Sequence, residues 1–351
     1  MNKPTRTLFA LAALAPLLLA GRRAGDKIEY LPKPGTSLSK HVAIENEVEL
    51  EKMSLEVDGQ DMSQMAQVQM AMKTVMKVGV TDRYETVADG HPTKLVRAFD
   101  ELSSTTHISM NNPALGQQEQ DVPLESKLEG ASVVFTWAGD GYETAFEGDK
   151  KADQSLLEGL TEDLDLRGFL PNHEVANGDT WSVPADAVKA LLAPCGDIKL
   201  RPTEGSDSMS QSNQFSQNDM IGDLAGTFEA TYGGTREEDG ARVAVIHLKI
   251  DARSAKDMSG RLEEMKGQMK EHLPEGMSMD LSAMDAEYHL EAEGDLLWNP
   301  ESGLAASLHM SGEMRMVIDM SMTMTVGGGD KDMDISQTFS GNQTLSFTTG
   351  D

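Results

Sequence analysis

The sequence is poor in cysteine, aromatic residues and positive charge, and each shortage removes a class of explanation. Its one cysteine, Cys195, cannot form an internal disulfide even in an oxidising compartment, so stability must come from sheet and core. Flanked by Pro194 and Gly196, with no readable His and Asn or Asp partner, that thiol reads as a small loop-end filler rather than a nucleophile. Aromatics make up only 5% of the chain whereas methionine supplies 23 of its 351 residues, so apolar burial rests largely on flexible thioethers. Lysine and arginine number 30 against 58 acids, a formal charge of −28. Such a field repels nucleic acid and anionic lipid headgroups and favours solubility. H-E-x-x-H, G-x-S-x-G, a P-loop and a dinucleotide fingerprint are all missing, and the glycine run 327–329 lies between two strand patterns rather than ahead of a helix. The expectation is a protein with neither enzymatic activity nor a cofactor.

Long apolar runs are also missing, with one exception at the start. Lys3 and Arg6 precede an apolar stretch from Leu8 to Ala20 that contains Pro16 and is too short to span a bilayer comfortably. Residues 1–24 therefore read as a secretory signal, and the expected address is the periplasm or the cell surface. Leu19-Ala20-Gly21 is the usual approach to a lipidated cysteine, but Arg22 stands where that cysteine belongs, so no lipid anchor is expected. Signal peptidase cleavage is also poorly specified, which leaves cleavage and retention both open. Residues 25–39 read as a linker.

What the chain does have is strict alternation of apolar and polar residues, the mark of strands with one buried face. From Met284 to Trp298 the even positions are apolar or small and the odd ones mostly acidic. After the turn residues 299–303, even positions continue from Leu304 to Met324, so the two segments form one long hairpin. Pairing Trp298 with Leu304 sets Leu290 opposite Gly312, Gly294 opposite Leu308, Glu287 opposite Arg315 and Glu293 opposite His309. A further strand carries Met333, Ile335, Phe339, Leu345 and Phe347 on one parity. Val42 to Val57 changes parity near Lys52, the signature of a bulge. Val68 to Val80 is another strand. Asp-Gly turns close the hairpins 133–146 and 228–250.

Helices are few: 151–160, 185–192 behind Pro184, and 258–273, where Met258, Leu262, Met265, Met269 and Leu273 form a stripe of helical period. Residues 203–219 form a polar loop. The fold class is mainly β (α+β): one large, strongly curved antiparallel sheet or half-barrel over residues 40–351, with two or three packed helices.

Leu170-Pro171, followed by Gly178-Asp179-Thr180-Trp181 and Pro184, resembles the LP…GDTW…P core of large families of exported bacterial β proteins, many of them lipoproteins. The resemblance spans roughly residues 40–348 through short motifs. It implies a curved antiparallel sheet with packed helices, like the half-barrel of periplasmic lipoprotein carriers, and it implies no catalytic residues. Trp181 is expected in a buried turn after Asp179.

Methionine carries the functional reading. A flexible, polarisable stripe can adapt to irregular apolar ligands, and Tyr288, Leu290, Leu308, Met310, Met314, Met316, Met320 and Met322 form the candidate binding face for a lipid or lipid-modified partner. The alternatives are a filled core in a structural or interaction protein of the envelope, and Cu(I) held by thioethers. Against copper, same-face residues on a strand lie about 7 Å apart, twice the ~3.4 Å rise. Asp330 to Asp334 begins like a calcium loop but has Ile335 at the glycine position and Gly341 at the glutamate position, so it reads as a solvated turn. His289, Glu291, Glu293, His309 and Glu313 share the outer face of the hairpin, which by default is simply a charged surface.

Overall fold

The computed structural model describes residues 25–350 apart from 64–67, 89, 113–115, 149–151, 204–220, 239, 259–261, 263–276 and 327–328. The chain is mostly strand, and its strands join one unclosed antiparallel sheet. In chain order they are β1 (Ser37–Val57), β2 (Gln60–Asp61), β3 (Gln69–Ala88), β4 (His91–Asn112), β5 (Gly116–Ser126), β6 (Ser132–Trp137) and β7 (Tyr142–Phe146). Then follow β8 (Thr180–Ser182), β9 (Leu200–Pro202), β10 (Ala225–Glu238), β11 (Ala241–Asp257), β12 (Met277–Asn299), β13 (Leu304–Val326) and β14 (Gly329–Gly350). The order across the sheet is β7-β6-β4-β3-β1-β14-β13-β12-β11-β10-β8, with β5 and β9 beyond the far half of β4. Chain ends meet at its centre, where β1 pairs with β14 from Ser39↔Gly350 to Val57↔Met333.

The bulge near Lys52 is present: pairing jumps from Leu50↔Phe339 to Lys52↔Thr338, leaving Glu51 unopposed. The parity change in the sequence is this extra residue, which keeps apolar side chains on one face. The hairpin register, by contrast, is corrected. Leu290 lies opposite Met314, not Gly312, and Gly294 opposite Met310. His289 faces Arg315, Glu287 faces Val317 and Asp295 faces His309. Over residues 283–297 two features displace the pairing by two residues, before a bulge at Ser282 takes one back. Asn299 pairs with Leu304, its Oδ1 accepting from the backbone of Glu301 (2.8 Å) and Ser302 (3.1 Å), and Ala306 then bulges between Trp298↔Ala305 and Leu297↔Ser307. A two-residue shift preserves parity, so the even-numbered face still points inward.

Curvature has a local cause. Gly294, Gly312 and Gly341 lie on the concave face of β12, β13 and β14, and a Cβ at any of them would run into the neighbouring strand's backbone. Only glycine lets adjacent strands crease so closely.

Residues 152–199 fold back over one half of the concave face, with β8 at the sheet edge. Their helix, α1 (Ala185–Leu192), starts behind Pro184 as expected and buries Ala187, Val188, Leu191 and Leu192. The expected helix 151–160 is only a single 3₁₀ turn, Gln154–Leu157, capped by the Asp153 carboxylate on Ser155 N. Gly159 at φ 78° ends it, a left-handed conformation that a helix cannot continue through. The stripe 258–273 and the loop 203–219 lie almost wholly outside the described residues, as does the signal 1–24; Met258 and Leu262 are buried in the core.

Residues 25–36 are more than a linker. Ile28 and Tyr30 are buried, Leu31 N donates to Gly303 O (3.0 Å), and Trp298 Nε1 donates to Glu29 O (3.1 Å). Trp181 is half-buried on the short edge strand β8 rather than in a buried turn, and its Nε1 donates to Phe169 O (3.0 Å).

Candidate functional site

The concave face divides into two unlike halves. In the half beneath residues 152–199, charged side chains stand where alternation calls for apolar ones: Lys40 between Leu38 and Val42, Asp82 between Val80 and Tyr84, and Arg97 between Leu95 and Phe99. All three are essentially inaccessible. Arg97 holds Asp82 in a fork, Nε to Oδ1 at 2.7 Å and Nη2 to Oδ2 at 2.8 Å, and Lys40 Nζ reaches Asp82 Oδ2 at 2.7 Å. Arg97 also donates to the carbonyls of Thr161 (3.1 Å) and Glu162 (2.8 Å), tying the sheet to the covering segment. Asp165 accepts from Lys40, from Tyr30 (2.5 Å) and Tyr84 hydroxyls, and from Arg167 Nη1 (2.8 Å). Arg167 closes the network on Glu162 at 3.1 and 2.6 Å.

Three cations thus meet three carboxylates, all out of water except Arg167, whose side chain is 20% exposed. Burial opposes charge at Asp82, yet Arg97 and Lys40 outweigh it and hold that carboxyl below its ordinary range. Asp165 is likewise held down, against burial, by Lys40 and Arg167. Burial also opposes the Lys40 charge, and Asp165 and Asp82 overcome it, so the ammonium keeps its proton more tightly than usual. Glu162 differs: burial dominates, Arg167 offsets it only in part, and the carboxyl is pushed up to about 7. Cys195 lies 3.5 Å from Arg97 Nη1, fully buried, with burial pushing its thiol up, in keeping with a filler and not a nucleophile. Largely removed from solvent, the network ties the covering segment to one half of the sheet. Packing there leaves a cavity of only ≈ 10 Å³ among Val42, Phe347, Leu166, Phe169 and Leu191, no more than about one water's worth.

A polar belt marks where this filled half ends. Thr106, Thr74, Asn46, Gln343 and Gly312 are successive cross-strand partners on β4, β3, β1, β14 and β13. Tyr288 donates to Gln343 Oε1 at 2.8 Å, while Gln343 Nε2, buried in a residue 2% exposed, meets no acceptor among the described residues. Beyond the belt the face turns to methionine. Cross-strand rows run Leu55–Ile335–Met320–Met284 and Val57–Met333–Met322–Leu281, with Met72 opposite Ile108 and Met70 opposite Met110 on the flank. Met70, Met72, Ile108, Met320, Met333 and Ile335 pack on the core yet keep part of their surface exposed.

The sequence-based binding face is only partly this one. Tyr288, Leu290, Leu308, Met310, Met314, Met316 and Met322 are buried in the core, and Met320 alone of the eight is partly exposed. The accessible methionines belong to β3 and β14 as well as β13, because the displaced register and the central β1–β14 pairing bring those strands together.

On the convex face, the five-residue metal group does not assemble. His289 Nε2 instead lies 3.0 Å from Asp251 Oδ1 and 3.5 Å from Glu291 Oε1, a trio able to hold an ion. Arg253 Nε already lies 3.3 Å from Asp251 Oδ1, and Arg253 and His289 line an open recess of ≈ 560 Å³ together with Glu287 and Arg315. Glu293 pairs with Lys249 (3.1 Å) and His247 with Asp295 (2.6 Å), so the patch is a lattice of exposed ion pairs. Asp330, Asp332 and Asp334 do not form the expected solvated turn: they are residues of β14, bonded to Thr325, Thr323 and Ser321 of the neighbouring strand.

No protein-family model matches the chain, and neither does any curated protein. Among solved structures, it is similar to the outer membrane protein OprG of Pseudomonas aeruginosa, with 8% identity, 91% of this chain and 99% of that one covered, and a TM-score of 0.21. An outer membrane channel of Pseudomonas putida F1 gives 8% identity, coverage of 90% and 97%, and a TM-score of 0.17. Superposition this loose carries no inference about function. Among the described residues, no helix is long and apolar enough to cross a membrane.

Proposed function

We propose that this chain is an exported protein of the bacterial envelope that holds an apolar ligand, such as a lipid or a lipid-modified partner, on the methionine-lined half of its concave face. One observation carries the reading: beyond the polar belt, methionine and isoleucine side chains from several neighbouring strands stay partly exposed on a face that is otherwise core. A soluble protein seldom leaves a contiguous apolar surface open without a use for it. Thioethers suit that use, since Met rotamers adapt to chains of varied shape. The charge network supplies the complementary part. By fixing the other half it keeps the sheet curved and the lined half in place, with no moving part required.

The alternative, an envelope protein with a filled core and no ligand, is favoured by the burial of seven of the eight nominated residues. The neutral fluorophore N-phenyl-1-naphthylamine separates the two. Ligand holding predicts saturable binding with blue-shifted emission, weakened by Met72→Ser with Met333→Ser while the unfolding midpoint changes little. A filled core predicts no saturable binding and a fall in stability.

A further inference from the structure

We infer that the apolar ligand is an acyl ester or amide, whose carbonyl accepts a hydrogen bond from the side-chain amide of Gln343 while its hydrocarbon chain lies along the neighbouring Met72, Ile108 and Met70 face; this rests on the ligand-holding reading above.

Position comes first. Gln343 stands where the filled half of the concave face gives way to the methionine half, and its cross-strand partners Asn46 and Gly312 continue the belt on either side. The side chain is fixed, because Tyr288 hydroxyl donates to Oε1 at 2.8 Å. That contact uses one end of the amide and leaves Nε2, inside a residue only 2% exposed, without an acceptor among the described residues. A buried donor with nothing to bond is costly, and natural cores rarely keep one without a use. Gly312 adds no side chain beside it. A ligand completing the site must therefore bring an acceptor to the belt and apolar length beyond it.

Charge narrows the acceptor. At the methionine end, Glu56 stands opposite Asp334 on the outward parity and Asp58 contacts Asp332, with Lys331, opposite Met324, as a nearby cation, within a chain of net charge −28. A free carboxylate or phosphate would enter against that field. A neutral carbonyl is not opposed, and an acyl group attached through an ester or amide supplies one at the head of a hydrocarbon chain.

Displacement of bound N-phenyl-1-naphthylamine by methyl octanoate and by nonane, molecules of similar length with and without the carbonyl, tests the assignment on the full chain. The ester should displace the probe at about tenfold lower concentration than the alkane, the scale of one satisfied buried donor. Octanoate at neutral pH should be weaker than its ester. Gln343→Leu should erase the difference between ester and alkane by weakening the ester, with the probe still bound; Gln343→Glu, which exchanges the donor for an acceptor, should do the same and guards against a packing effect of leucine. Equal displacement by ester and alkane in the native protein, or a preference that survives both variants, would overturn the carbonyl assignment and leave ligand holding intact. Failure of the probe itself to bind would instead remove the reading on which the assignment rests.

Discussion

At the residue scale, the charges that matter are the inaccessible ones. Removing one partner of a buried pair strands the other, at a cost of about 3–5 kcal/mol. Asp82→Asn, which leaves both Arg97 and Lys40 short of a carboxylate, should therefore lower unfolding free energy by that amount in urea titration, whereas Glu293→Gln, on an exposed pair with Lys249, should change it by less than about 1 kcal/mol. Glu162 gives the network a pH dependence of opposite sign from its neighbours. Its folded carboxyl binds a proton more tightly than the ordinary value of 4.5, so its contribution is present below that pH and is lost as pH rises through about 7. Asp82 and Asp165, held low, contribute above the ordinary carboxylate range and lose that contribution only in acid. Glu162→Gln should consequently flatten the decline in urea midpoint between pH 5 and 8; an unchanged slope would assign the decline to other groups. These residues were legible in principle. Lys40, Asp82 and Arg97 each interrupt an apolar parity, but a single interrupting charge does not name its partner, and the partners here lie on other strands and on the 161–167 segment.

At the element scale, local pattern and pairing parted company. Parity located the strands, the Glu51 bulge and the inward face of the long hairpin, and Pro184 with its following apolar stripe located α1 to its residue bounds. Register was another matter, because an Asn299-centred loop and the single bulge at Ala306 move β13 by two residues without altering any parity the sequence displays. The corrected pairing changes what Gly312 does. Its neighbour is Ala292, and an added Cβ would strike Ala292 and the Glu291 carbonyl instead of crowding Leu290. Gly312→Val should then cost about 3 kcal/mol or more, at the upper end of overpacking, although valine is the better strand former. A cost under about 1 kcal/mol would show that the crease between β12 and β13 can open. The half-buried Trp181 on edge strand β8 should tolerate loss better than a core tryptophan would.

At the scale of the whole molecule, one half of the sheet is tied down by charge and the other lined by partly exposed methionine, which under the proposed function is a division of labour between holding shape and holding a ligand. The sequence showed methionine as the outlier but placed the binding face on β12 and β13 alone, since it could not show that β1 and β14 would join at the centre and carry β3 and β4 alongside. Native mass spectrometry of the protein, expressed with residues 1–24 present and isolated gently from cells, addresses the central claim most directly. Ligand holding predicts a reproducible adduct of lipid mass that is lost on organic extraction and reduced in the Met72→Ser, Met333→Ser variant. A single species at the polypeptide mass under the same conditions, unchanged after incubation with acyl esters, would contradict it.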